Sequence, residues 1–171
     1  MKKEIVLVDG YNIIGDWPEL KRLKQQSLTE ARDLLIAKMA EYQAVTGRRV
    51  IIVFDAHMVP GTGSKNAHHR VEVVYTRERE TADERIEKLV SQLKNVETQV
   101  YVATSDFIEQ SVTFGSGGLR TSARELRVQM DDVENHITER VSRVQKETRH
   151  GNRVISKELA EFFEKKRRND G

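Results

Sequence analysis

Residues 5–12 read I-V-L-V-D-G-Y-N. The run of Ile5, Val6, Leu7 and Val8 offers no polar side chain to solvent, so it predicts a strand buried on both faces, as the central strands of a parallel sheet are. Asp9 stands at the carboxyl end of that strand. In open α/β sheets ligands bind in the crevice outside the carboxyl ends of the strands, which places Asp9 for chemistry rather than for solubility. Two later segments repeat the pattern, residues 50–55 (V-I-I-V-F-D) and 100–106 (V-Y-V-A-T-S-D). If these strands are neighbours, Asp9, Asp55 and Asp106 converge.

The stretches between them read as helices. Three capping boxes, Ser27-Leu-Thr-Glu30, Thr81-Ala-Asp-Glu84 and Ser122-Ala-Arg-Glu125, each announce a helix N-terminus. The first helix reaches about Thr46, buries Leu28, Ala31, Leu35, Tyr42 and Val45, and stops at Gly47. The second buries Ile86, Leu89, Val90 and Leu93, with Asp83 in its first turn. The third is long and carries one apolar stripe through Leu126, Met130, Val133, Ile137, Val141 and Val144. Gly151 is expected to end it, leaving a short last helix over residues 157–168 with a basic tip. Further expectations are a loop through Gly15, Trp17 and Pro18, a short strand over residues 71–75, and a helix capped by Ser105 that breaks at Gly115-Ser-Gly-Gly118. Residues 56–70, with Pro60, Gly61 and Gly63, read as a mobile loop beside a strand end. Strand and helix alternate, so the class is α/β with a mainly parallel central sheet and a C-terminal helical extension. The expected organisation is a domain over residues 1–150, including the long helix, followed by residues 151–171.

Composition narrows the function classes. At 171 residues the chain is the size of one ordinary domain. It has no cysteine, which excludes thiolate metal sites and disulfides. Four apolar residues before Asp9 are too few for a signal-peptide core, and no later run approaches a membrane span, so a cytoplasmic protein with no membrane partner is expected. The net charge of +2 is uninformative by itself, but residues 57–70 contain Lys65, Arg70 and three histidines with no acid.

Each aspartate taken singly has an ordinary reading: a turn at Asp9-Gly10, a strand-end cap at Asp55, and helix N-terminal acids at Asp83 and Asp106. Together they would crowd one crevice. Two unit charges about 4 Å apart repel by roughly 4 kcal/mol at an effective dielectric near 20, so such a cluster must bind protons or cations. With oxygen ligands only, the fitting ion is Mg²⁺ or Mn²⁺, which expects phosphate as a further ligand. Metal-assisted phosphodiester cleavage follows.

The motifs V-D-G-Y-N, V-F-D-A-H, E-T-A-D-E-R-I, V-A-T-S-D and L-R-T-S-A-R-E-L, spread over almost the whole chain, resemble the YacP-type NYN-domain proteins, a branch of the PIN-like nucleases. The resemblance implies a three-layer α/β/α PIN-like fold, Mg²⁺ or Mn²⁺ dependence, and RNA as substrate, with cleavage of messenger RNA in the ribosomal A site. It maps the acidic site to Asp9, Asp83 and Asp106, with Asp55 and Asn12 in support. Other residues are open to two readings. Asn12 either orients Asp9 or simply forms a turn, and Ser105 either holds a metal-bound water or caps a helix. Glu80 borders the site, where a solvated pre-helix acid is the plainer reading. His57, His68 and His69 lack the fixed geometry of metal ligands. Tyr11 and Trp17 either pack or stack on bases. Lys65, Arg70, Arg120, Arg124 and Arg127 are candidates for RNA or ribosome contact, against a solvated surface. The rival readings are a non-catalytic RNA- or ribosome-binding module of the same fold, and a receiver- or phosphatase-like domain. The sequence does not fix the oligomeric state.

Overall fold

The structure, a computed structural model, describes residues 1–56 and 70–169. Most of the expected loop over residues 56–70, with Lys65, His57, His68 and His69, lies outside the described residues. Five strands, β1 (Lys3–Asp9), β2 (Arg49–Phe54), β3 (Glu72–Tyr75), β4 (Thr98–Ala103) and β5 (Leu119–Thr121), form one sheet in the order β3-β2-β1-β4-β5. Every neighbouring pair is parallel. The central position of β1 explains its uninterrupted apolar run. Asp9 lies opposite Val53 of β2, and Val8 lies opposite Ala103 of β4, so the carboxyl ends of the three strands are level.

Alternation along the strands divides the core into two layers. Ile5, Leu7, Ile51, Val53, Val100 and Val102 face one side and pack with Ile86 and Val90 of helix α4 (Ala82–Leu93). The intervening residues, among them Val6, Val8, Ile52 and Phe54, point the other way. On that side lie α1 (Gly10–Asp16), α2 (Pro18–Gln26) and α3 (Leu28–Thr46), of which α1 and α3 contact β2. The capping boxes form as read: Ser27, Thr81 and Ser122 each accept the backbone N–H three residues on, and Glu125 returns a bond to the Ser122 N–H. Gly47 ends α3 at φ 73°, a left-handed conformation that glycine adopts without strain.

Several expectations are corrected. The segment after Asn12 is not a loop but the two short helices α1 and α2, because Pro18 sits at the first position of a new helix, where its missing N–H costs nothing. Trp17, at their junction, is fully buried and donates its indole N–H to the Ala123 carbonyl at 2.9 Å, so it is unavailable for base stacking. Val45 is exposed because it lies in the last turn of α3. The helix after β4, α5 (Phe107–Gly115), is capped by Asp106 and not by Ser105. Strand β5 went unforeseen because it is only three residues long and wedged between a glycine turn and a capping box. Finally, α6 (Ala123–Asn169) is one helix: it runs through Gly151, which keeps a negative φ, so the expected break and separate last helix are absent. One interior glycine costs a helix only about 1 kcal/mol, which a helix of this length absorbs.

The chain divides into two compact units, Met1–Val133 and Glu134–Gly171. In the first, Leu126, Met130 and Val133 are buried as the stripe predicts; in the second, Val141 and Val144 are exposed. Among the described residues no helix is long and apolar enough to cross a membrane.

Gly10 is required by packing. A methyl group there would collide with the Phe54 ring, which is itself held between Tyr11 (centroids 5.0 Å apart) and Tyr75 (5.9 Å). Gly10→Ala is therefore expected to destabilise the fold by about 1–3 kcal/mol through overpacking, and Trp17→Ala by about 3–5 kcal/mol through a cavity. Urea denaturation of the purified variants checks both, and a loss below about 0.5 kcal/mol for either would contradict the packing described.

Candidate functional site

Asp9 ends β1 and occupies the residue before α1, but its side chain makes no capping bond and is left to point into the crevice. It is buried, and its Oδ2 accepts a hydrogen bond from the Thr104 hydroxyl at 3.4 Å. Asp83 arrives from the first turn of α4, fixed by the Thr81 cap, and remains exposed. The third member is Glu109, in the first turn of α5 and only 4% exposed. One carboxylate oxygen from each of Asp9, Asp83 and Glu109 lies within 4.8 Å of the others.

The electrostatics follow from that crowding. Burial raises the pKa of Asp9, and the charge of Asp83 raises it further; hydrogen bonds from Glu109, the Asn12 backbone and Thr104 act in the opposite sense. Asp83 is also raised, by burial first and then by the charges of Asp106, Asp55 and Glu84, against a hydrogen bond with Glu109. Glu109 moves furthest upward, through burial, its hydrogen bond with Asp9, and the charges of Asp9 and Asp83. Neither of its buried oxygens has a well-formed hydrogen bond among the described residues, and only the Thr104 hydroxyl, which also bonds Asp9, acts to lower its pKa. Crowded acids that share a buried space favour binding protons, and with no cation present that tendency is strongest at Glu109.

The donor set suits a hard divalent cation. All three ligands are carboxylate oxygens, two come from buried residues, and the orphaned oxygens of Glu109 are the kind of buried polar atoms that demand a partner. Mg²⁺ or Mn²⁺ would meet that demand; zinc, which favours sulfur and imidazole, would not be preferred.

The remaining candidates lie around this core. Asp106 Oδ1 accepts the N–H groups of Ile108 (2.9 Å) and Glu109 (3.4 Å), the helix-capping role, and its charge is still felt at Asp83. Asp55 is half-buried directly after β2 and also acts on Asp83. Asn12 is a clamp: its Oδ1 accepts the Ser105 N–H at 2.7 Å and the Ser105 hydroxyl at 2.9 Å, tying α1 to the end of β4. Glu80 is not solvated but buried, ion-paired to Arg85 (2.6 Å) and Lys88 (2.7 Å), which hold its pKa down at about 2. Tyr11 packs on Phe54, and its hydroxyl accepts from Arg32 at 3.1 Å. Arg120, Arg124 and Arg127 are exposed, as is Arg70.

Sequence reasoning missed Glu109 and Thr104. Asp106-Phe-Ile-Glu109 has the form of a capping box, in which Glu109 would bond back to the Asp106 N–H; instead Thr104 takes that N–H at 3.1 Å and Glu109 turns inward. The available signal was an acid sharing the buried helix face with Thr113, while the apolar residues of α5 lie outside.

A pH prediction follows. Acids whose pKa is raised on folding make the folded state bind more protons, so in EDTA stability should fall as pH rises above about 4.5 towards the raised values. Glu80 is shifted the other way and its contribution is lost only as pH falls towards 2, so it is constant over this window. Glu109→Gln keeps a hydrogen-bonding group toward the neighbouring carboxylates but has no carboxyl to ionise when the chain unfolds, so it removes the share of this pH dependence that Glu109 contributes. It should raise the melting temperature at pH 8 in EDTA by roughly 2–4 °C per kcal/mol relieved, and flatten the decline between pH 5 and 8. A melting temperature unchanged at pH 8 would contradict the reading of Glu109.

Residues 6–168 match the family described as YacP-like NYN domain. A Bacillus subtilis (strain 168) protein, Uncharacterized protein YacP, is 56% identical over 167 residues, spanning 98% of each chain. The crystal structure of Rae1 (YacP) from Bacillus subtilis matches with a TM-score of 0.78 at 56% identity, covering 97% of this chain and 95% of that one. A mutant of the same protein matches with a TM-score of 0.75 over 84% of each chain. The chain belongs to the YacP-like NYN-domain family, whose domains are of nuclease type.

Proposed function

We propose that the protein is a divalent-metal-dependent endoribonuclease that cleaves messenger RNA in the cytoplasm, in association with the translating ribosome and at its A site. The observation that carries this reading is the buried carboxyl of Glu109, without a well-formed hydrogen bond, beside Asp9 and Asp83 at the mouth of a parallel sheet. Asp9, Asp83 and Glu109 would hold Mg²⁺ or Mn²⁺, with Asp106 and Asp55 adding negative charge around it. Bound there, the ion would lower the pKa of an attacking water and stabilise the leaving oxygen. The chain itself supplies order. The Thr104 hydroxyl holds the Asp9 carboxylate, and the Asn12 side chain ties the segment carrying Asp106 to the start of α1. No side chain is the nucleophile.

RNA would be drawn to Arg120, Arg124 and Arg127, with Lys65 and Arg70 as further phosphate contacts. Three arginines do not make a long groove, and aromatic residues are 6% of the chain, so grip on a free strand is weak. A translating ribosome would present the messenger and raise its local concentration, which supports the partner assignment.

Asp9→Asn, Asp83→Asn, Asp106→Asn and Glu109→Gln should each lower cleavage by at least about 100-fold, since even residues that only orient a ligand cost 10- to 100-fold. EDTA should abolish activity, and Mg²⁺ or Mn²⁺ restore it. Near-wild-type cleavage by the Asp9 and Asp83 variants would remove the site.

Replacing Arg120, Arg124 and Arg127 with alanine should weaken RNA association and flatten its salt dependence by about 0.7 per lost contact. An unchanged slope would put the RNA path elsewhere. One messenger compared free and under translation, at equal protein and metal, should be cut efficiently only in the second state; equal rates and cut sites would leave a general single-strand ribonuclease.

A further inference from the structure

Helix α5 is built inside out. Its buried residues are the polar Glu109 and Thr113, while Phe107 and Ile108, each 73% exposed, and Phe114, at 68%, face solvent. A clustered apolar surface of this kind marks an interaction site more often than chance. Its position narrows what binds. Phe107 follows Asp106, whose charge acts on Asp83, and precedes Glu109 by two residues, so its backbone belongs to the rim of the acidic crevice. The ring is also carried on a fixed support. The Asp106 carboxylate accepts the N–H groups of Ile108 and Glu109, and the Ser111 hydroxyl bonds the Phe107 carbonyl at 2.9 Å, which locks the first turn.

We propose that Phe107, flanked by Ile108, is a stacking platform for one base of the RNA strand next to the phosphate that enters the acidic crevice. The inference rests on the nuclease reading above and adds to it a positioning contact. A phosphodiester drawn to the cation that Asp9, Asp83 and Glu109 would hold carries its sugars and bases with it, and the nearest base must lie against whatever forms the rim. A flat apolar ring offers that base a sequence-tolerant contact, because every base has a π face. Such a contact would favour single-stranded substrate, since bases in a duplex are already stacked. It would also hold the strand in register without adding positive charge beside the metal ligands.

The test uses the full chain with Mg²⁺ and two probes whose backbone linkages resist cleavage: a single-stranded ten-nucleotide RNA analogue and an abasic strand of equal length. Phe107→Ala should bind the RNA about tenfold or more weakly, Phe107→Tyr should restore binding, and neither change should alter affinity for the abasic strand. Phe107→Trp gives a second readout, because the native Trp17 is buried: the new indole should be quenched by the RNA and not by the abasic strand. Equal binding of the two probes by wild type, unchanged affinity in Phe107→Ala, or no saturable binding at millimolar RNA would each overturn the proposal. So would a wild-type dimer that Phe107→Ala converts to monomer, which would make the patch a self-interface. Stacking without cleavage under any metal or ribosome condition would defeat the nuclease reading alone; cleavage of ribosome-bound messenger by Phe107→Ala at the wild-type rate would defeat the platform alone.

Discussion

Like charges forced together at the edge of an apolar sheet are the constraint on which the rest of this structure turns. Asp9, Asp83 and Glu109 bring oxygens within 4.8 Å where burial has stripped away much of the water that would screen them. Three separate backbone elements hold them there. The uninterrupted apolar run of β1 can exist only at the centre of a sheet covered on both sides, and that position makes its last residue the middle of the crevice. The other two acids come from the first turns of α4 and α5, where helix dipoles place partial positive charge and offset some of the repulsion.

Helix capping therefore acts here as site positioning. The Thr81 cap sets where α4 begins and so where Asp83 stands, and the Asp106 cap does the same for Glu109. The Glu80 carboxylate, buried and gripped by Arg85 and Lys88 from the next two turns, ties the entry of α4 to its body. The contrast between Glu80 and Glu109 is instructive. Both are buried glutamates at a helix start, yet one has two cations and a pKa lowered to about 2, and the other has the charges of Asp9 and Asp83 beside it and a pKa raised above the usual range.

Strands β1 to β4 and the three capping boxes were legible in the sequence because each rests on a local rule: apolar continuity, or a side chain that caps its own helix. The misreadings have different causes. Trp17 looks like a loop aromatic until the carbonyl of Ala123, 106 residues away, is brought to its indole nitrogen, a partner that no local pattern encodes. Gly151 looks like a stop because glycine is permissive, but permission to leave a helix is not an obligation to do so. Glu109 was passed over because nothing in its immediate sequence shows that Thr104, not Glu109, takes the Asp106 N–H.

The choice of glutamate at position 109 then has a physical logic. A lysine in that place would pair with Asp9 and Asp83 at once and satisfy the cluster permanently, and an uncharged residue would relieve part of the repulsion at no cost in solvation. Either would make the folded chain more stable and leave it without a place for a cation. Glutamate does the reverse: its raised pKa ties the stability of the fold to pH through the same carboxyl that a cation would need ionised. A cation bound there would draw on the free energy that the fold withheld from its own stability.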